Sequence, residues 1–169
     1  MNLIDQSVEQ LDFALRRRFF WLLAGFREDL VVPVVEQRWR ALDLSRFPWL
    51  SRHGWEHVQD DVERLAGRAA GLNRAISESS LLGPQYSIGH TYFFDVVGFV
   101  ARWPQLQAKW SWRGYYLWSK SGKPQPPLHD LWRHSLEPLI EEYLAGIAQT
   151  AREQQLRQLR EAFLAPIER

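Results

Sequence analysis

The feature that most limits what this chain can fold into is a stripe of apolar residues at Val58, Val62, Leu65, Ala69, Leu72 and Ile76, spaced four, three, four, three and four apart. A strand alternates its side chains with period two and would scatter these residues over both faces. An α-helix, at 3.6 residues per turn, gathers them on one. The spacing predicts a helix over about 58–76, with Asp60, Asp61, Glu63 and Arg64 on its other face. The same stripe fits a short coiled coil. In a chain of 169 residues, a helix turned toward its own core is the preferred reading.

Other segments carry the same period. Ser7 and Gln10 have capping-box spacing, and Val8, Leu11, Leu15 and Phe19 follow on one helical face. Arg16, Arg17 and Arg18 close that helix, where cations suit the negative end of its dipole. After Gly25 a second helical pattern covers about 28–42, with Pro33 tolerated only near its first turn. Residues 43–54 read as loop, Gly83-Pro84 as a break, and Tyr92 to Ala101 as a buried helix or strand. Residues 103–130 are crowded with Trp103, Trp110, Trp112, Tyr115, Tyr116 and Trp118. Trp110 and Trp112 alternate with polar residues and Ser121-Gly122 offers a turn, so a small β-hairpin or structured loop is expected there. Leu136, Leu139, Ile140, Tyr143 and Leu144 form one further helical stripe, and Leu156, Leu159 and Phe163 another. The expected class is mainly α.

Composition narrows the function classes. A hydrophobic share of 46% with 14% aromatics excludes a disordered chain, and the length suits one domain. The absence of cysteine removes disulfides, thiolate zinc sites and cysteine nucleophiles. A net charge of +1 provides no global field for nucleic acid or an anionic membrane. Arginine supplies 18 of the 21 cations, a bias that a GC-rich genome produces without functional cause. The first residues do not read as a signal peptide, and the longest uncharged apolar run, Phe19 to Phe26, is far below the roughly 18 residues of a membrane span. A cytoplasmic protein is expected.

Read residue by residue, candidate chemistry is sparse. His53-Gly54-Trp55-Glu56-His57 matches the H-x-x-E-H zinc pattern, which needs both histidines on one helix. Gly54 weakens such a helix and no third ligand stands out, so no metal site is expected. His129 and His134, five apart, do not share a helix face. The tryptophan cluster suits bases or sugars as stacking partners, but without a lysine-rich groove, core packing is preferred.

Three phrases in order add to this. Met1-Asn2-Leu3-Ile4-Asp5-Gln6-Ser7, followed by Leu11-Asp12-Phe13-Ala14-Leu15-Arg16-Arg17-Arg18-Phe19, resembles the M-N-x-x-D-R-S…L-D-x-A-L-R-R-R-F stretch of McrB-type AAA+ NTPases, motors of modification-dependent restriction systems. Leu82 to Phe93, with Ile88-Gly89-His90-Thr91-Tyr92-Phe93, resembles that family's I-G-H-S-Y-F lid motif. Leu136-Glu137-Pro138-Leu139-Ile140-Glu141-Glu142-Tyr143-Leu144 is similar to its P-L-L-E-E-Y segment.

The resemblance implies the C-terminal part of an AAA+ domain: residues 1–27 as a remnant of the α/β core and residues 28–169 as a helical lid with an insertion at about 103–130. It implies that Asn2 is sensor 1, orienting the attacking water. It makes Arg16 and Arg17 the arginine finger reaching a neighbour's nucleotide, and Arg18 structural. Asp5 would organise the loop after sensor 1, and Gly89 and His90 would lie near the nucleotide. ATP or GTP with magnesium is implied, as are a hexameric ring or a separate P-loop-bearing half and a McrC-like nuclease as partners. DNA is engaged only through domains outside these residues. Gln6 departs from the family's arginine, which removes that position's charge. No G-x-x-x-x-G-K-[ST] loop and no Walker B strand occur in the sequence. The chain is therefore expected to be inactive alone, as a truncated, split or internally started product. The alternative is a non-catalytic helical module that binds a complete AAA+ subunit.

Overall fold

A computed structural model describes residues 25–103 and 115–168. Six α-helices organise them: α1 (Val31–Arg40), α2 (Gln59–Glu78), α3 (Val96–Arg102), α4 (Pro126–Leu131), α5 (Glu137–Tyr143) and α6 (Gln149–Phe163). Short 3-10 turns fill the connections at Glu28–Leu30, Pro48–Arg52, Trp55–His57, Pro84–Tyr86 and His90–Asp95. The mainly helical class is what the periodicity required. Among the described residues, extended pairing is limited to one antiparallel bridge between Trp118 and Pro124.

The stripe on α2 is the centre of the core. Val58, Val62, Leu65, Ala69, Leu72 and Ile76 are all buried, and the helix packs against α1, α6 and the turn at Pro84–Tyr86. It is a core helix of a globular unit. One expectation fails here: Asp61 is not on the solvent face but is 1% exposed. Position 61 lies three after Val58 and four before Leu65, so the helix carries it to the buried side whatever its charge. Its Oδ2 accepts hydrogen bonds from the backbone N–H groups of Tyr116 (2.7 Å) and Leu117 (3.0 Å). A buried carboxylate is tolerated because it accepts from two buried backbone N–H groups.

α1 buries Val31, Val35 and Trp39 at intervals of four, with Pro33 in its first turn, where its missing N–H costs nothing. The segment from Tyr92 resolves into a 3-10 turn and then α3, which buries Val96, Val97, Val100 and Ala101. α4 and α5 are joined by a π segment, Trp132–Leu136. Pro138 explains it: the ring cannot donate to the carbonyl four residues back and crowds it, so the preceding turn widens. α6 closes the unit with Leu159 and Phe163 in the core. Its C-terminal carbonyls are capped from across the fold by Arg68, whose guanidinium donates to Ala162, Ala165 and Pro166.

The expected insertion lies only partly within the described residues. Trp110 and Trp112 are outside them. Tyr116, Leu117 and Trp118 are fully buried, and Ser119 to Lys123 form a tight turn with Gly122 at φ 76°. α4 begins at Pro126, inside the segment expected to run to about 130.

Candidate functional site

Ile88-Gly89-His90 is the described part of the chain that carries expected site residues, and the fold holds it through one side chain. Asn73 projects from the buried face of α2. Its Oδ1 accepts from the Ile88 N–H (2.6 Å) and the Ser87 hydroxyl (2.9 Å), and its Nδ2 donates to the carbonyls of Ile88 (3.1 Å) and Ala69 (3.1 Å). A side-chain amide pairing with both backbone groups of one residue replaces the neighbouring strand or helix that the segment lacks. The motif is thereby tied to the central helix.

Either side of Ile88 the chain is anchored by aromatics. Gly83 stands at φ 153°, a backbone suited to glycine, and turns the chain into Pro84–Tyr86. The Tyr86 ring meets that of Tyr143 edge to face at 5.1 Å. This contact, between residues 57 positions apart in sequence, joins the second and third family-like phrases into one packed surface. Downstream, Phe93 is buried between Phe26 at 5.9 Å and Phe163 at 6.4 Å.

Gly89 and His90 stay partly exposed at the head of the 3-10 turn His90–Asp95. Gly89 has φ −62° and ψ 152°, open to any residue, and a Cβ there would meet only Thr91 Oγ1 at 3.8 Å. The fold itself does not need a glycine at this position. The nearby Asp29 carboxyl is held below its ordinary range, first by the hydrogen bond from Arg27 and in lesser part by the charge of His90. Arg27 and Asp29 are paired at the surface by hydrogen bonds from the guanidinium to the carboxylate.

Asn2, Asp5, Arg16 and Arg17 lie outside the described residues. The zinc-like motif is described and is not helical in the required way. His53 precedes the 3-10 turn Trp55–His57, is 3% exposed, and its Nδ1 shares a hydrogen bond with the Tyr116 hydroxyl at 2.8 Å. Glu56 points to solvent, 3.9 Å from His57 Nδ1. Among the described residues no group of three His, Asp or Glu is arranged to hold a metal ion. His134 sits in the π segment with its ring 5.9 Å from that of Phe99.

Sequence reasoning missed Asn73. Its position four after Ala69 and three before Ile76 was a usable signal: a lone amide on an apolar helical stripe needs partners, and those partners mark the segment that the helix organises.

A helical unit with one buried central helix and its motif-bearing turns on a common surface has the construction of a helical lid. A family model described as the McrB alpha-helical lid domain matches residues 64–152, more than half of the 169 residues. The chain belongs to that family. The match takes in Asn73, Gly89, His90 and Tyr143 and stops short of residues 1–63. No curated protein and no solved structure matches the chain. No helix among the described residues is long and apolar enough to cross a membrane.

Proposed function

We propose that this chain supplies the lid, the sensor-1 residue and the trans-acting arginine finger of a McrB-like AAA+ NTPase, a ring motor of DNA restriction. The observation that carries the reading is the lid-family match over residues 64–152. It is supported by the Tyr86–Tyr143 contact, which brings two family-like phrases together.

In this reading Gly89 and His90 face the nucleotide. The fold leaves Gly89 free of any need for glycine, which fits a position kept small for an incoming ligand. Asn73 ties the motif to α2, so nucleotide contact at the turn is passed to the helix that carries most of the lid's core. Asp5 orders the loop behind Asn2, whose amide orients the attacking water. Arg16 and Arg17 reach a neighbouring subunit's nucleotide, where a guanidinium neutralises the charge spread over a phosphoryl transition state.

ATP or GTP with magnesium is the ligand of the assembled motor. The described residues offer no acidic cluster for magnesium, and the sequence has no phosphate-binding loop. Both come from a P-loop-bearing part, joined to this chain or separate. A ring of such units and a McrC-like nuclease are the partners. DNA is bound by other domains.

The finger assignment is tested by Arg16→Ala and Arg17→Ala in a ring reconstituted with a P-loop-bearing half. Loss of the finger lowers hydrolysis by about a thousandfold or more, with nucleotide binding retained. Hydrolysis at the unsubstituted rate in both variants rules the assignment out.

A further inference from the structure

A second surface begins at the far end of the His90–Asp95 turn. An open groove of about 620 Å3 runs between α1, the loop after it, the end of the His90–Asp95 turn, α3 and the π segment. Three guanidiniums line it, Arg38, Arg46 and Arg102, together with the carboxylates Asp43 and Asp95. No described carboxylate lies within ion-pair distance of any of the three arginines. Two of them are ordered by other means. Arg38 stacks over Phe94 at 5.8 Å. Arg102 lies over Phe99 at 6.0 Å and donates from Nε to the Gly98 carbonyl at 2.9 Å. Both acids are already engaged: Asp43 accepts from the Ser45 N–H and hydroxyl, and Asp95 from the Ser135 hydroxyl.

From this geometry we infer that the groove is a docking site for an acidic peptide segment of a partner protein, one that carries an apolar residue among its carboxylates. Preordered guanidinium forks match carboxylates in charge and shape. The two aspartates distinguish the classes of anion. The charge of the aspartates repels phosphate and carboxylate alike, but a phosphodiester backbone offers them acceptors alone. A peptide also brings N–H donors, which Asp43 and Asp95 can accept. The rim supplies an apolar anchor: Leu44, 52% exposed, is one of two large hydrophobic residues left exposed among the described residues, and it sits on the loop that forms the groove wall. Gly89 and His90 do not line the groove, although the 3-10 turn that begins at His90 ends in its wall at Phe94 and Asp95, and no step of the inference uses the nucleotide reading.

The test uses the full chain and a fluorescein-labelled peptide with four glutamates around one leucine. Its controls are the same peptide with glutamines and an oligothymidylate of similar length. The glutamate peptide binds by fluorescence anisotropy, more weakly as salt rises, and the glutamine peptide binds at least about tenfold more weakly. The double substitution Arg38→Gln/Arg46→Gln, at exposed side chains that leave the core intact, lowers affinity by about tenfold. Arg40→Gln, whose guanidinium is paired with Glu36 and does not line the groove, leaves it unchanged. No binding of the glutamate peptide at low salt overturns the inference. So does equal binding of the glutamine peptide, insensitivity to Arg38→Gln/Arg46→Gln, or tighter binding of the oligothymidylate.

Discussion

Two buried polar side chains, Asn73 and Asp61, decide how the irregular segments attach to the helices. Asn73 satisfies both backbone groups of Ile88 from a site 5% exposed. Asn73→Ala leaves a buried donor and acceptor unpaired, which costs about 2–4 kcal/mol and should appear as a lower urea midpoint at unchanged slope. A loss below about 0.5 kcal/mol would mean that water replaces the amide and that the motif is not tied to α2 in this way. His53 adds a pH dependence. Burial pushes its imidazole below the ordinary value of 6.5, with the charges of His57 and Arg52 acting in the same direction. The unfolded chain takes up this proton near 6.5 and the folded chain only at lower pH. Stability from this group is therefore complete above about pH 6.5 and falls as pH drops toward the folded value. His129, lowered chiefly by burial, works the same way. His53→Gln, which can keep a hydrogen bond to Tyr116, should flatten the fall in urea midpoint between about pH 7.5 and 5. An unchanged fall would assign the acid sensitivity to other groups.

At the scale of elements, the helices were legible where apolar spacing was regular. The stripe over 58–76 became α2, the pattern over 28–42 became α1, and those ending at Leu144 and Phe163 became α5 and α6. The failures have separate causes. Asp61 was assigned to solvent by its charge, although its register with Val58 and Leu65 placed it inside. The 43–54 loop contains a 3-10 turn because short i to i+3 turns leave no apolar period to read. The π segment was hidden because Pro138 acts on the turn before it rather than on its own. The Ser119–Lys123 turn carries a stability prediction. Gly122 has φ 76°, its carbonyl accepts from the Ile167 N–H at 2.9 Å, and a Cβ there would overlap the Ile167 carbonyl oxygen. Gly122→Ala therefore incurs both a left-handed backbone penalty and displacement of the C-terminal segment, about 1–3 kcal/mol together. Faster proteolysis after residue 163 should accompany the drop in melting temperature. Wild-type stability with intact C-terminal protection would show that the segment does not dock on this turn.

At the scale of the whole molecule, the candidate site divides into a part that local sequence could reveal and a part that only folding assembles. Gly89 and His90 stood out because they lie within one contiguous phrase. Asn73 did not, since its partners Ser87 and Ile88 lie 14 and 15 positions away. The groove of Arg38, Arg46 and Arg102 was equally invisible: each arginine reads alone as a solvated charge, and only the packing of α1, α3 and the π segment brings them together. The lid-family match takes in most of α2 and all of α3, α4 and α5, and the proposed motor depends on how this unit acts with a phosphate-binding partner. The most direct measurement is ATP and GTP hydrolysis by this chain alone, by a P-loop-bearing McrB-like half alone, and by the two mixed. The account predicts hydrolysis that appears in the mixture and in neither component. Hydrolysis by this chain alone would contradict it, as would a stable complex of two folded components that hydrolyses nothing, which would point to a non-catalytic interaction module.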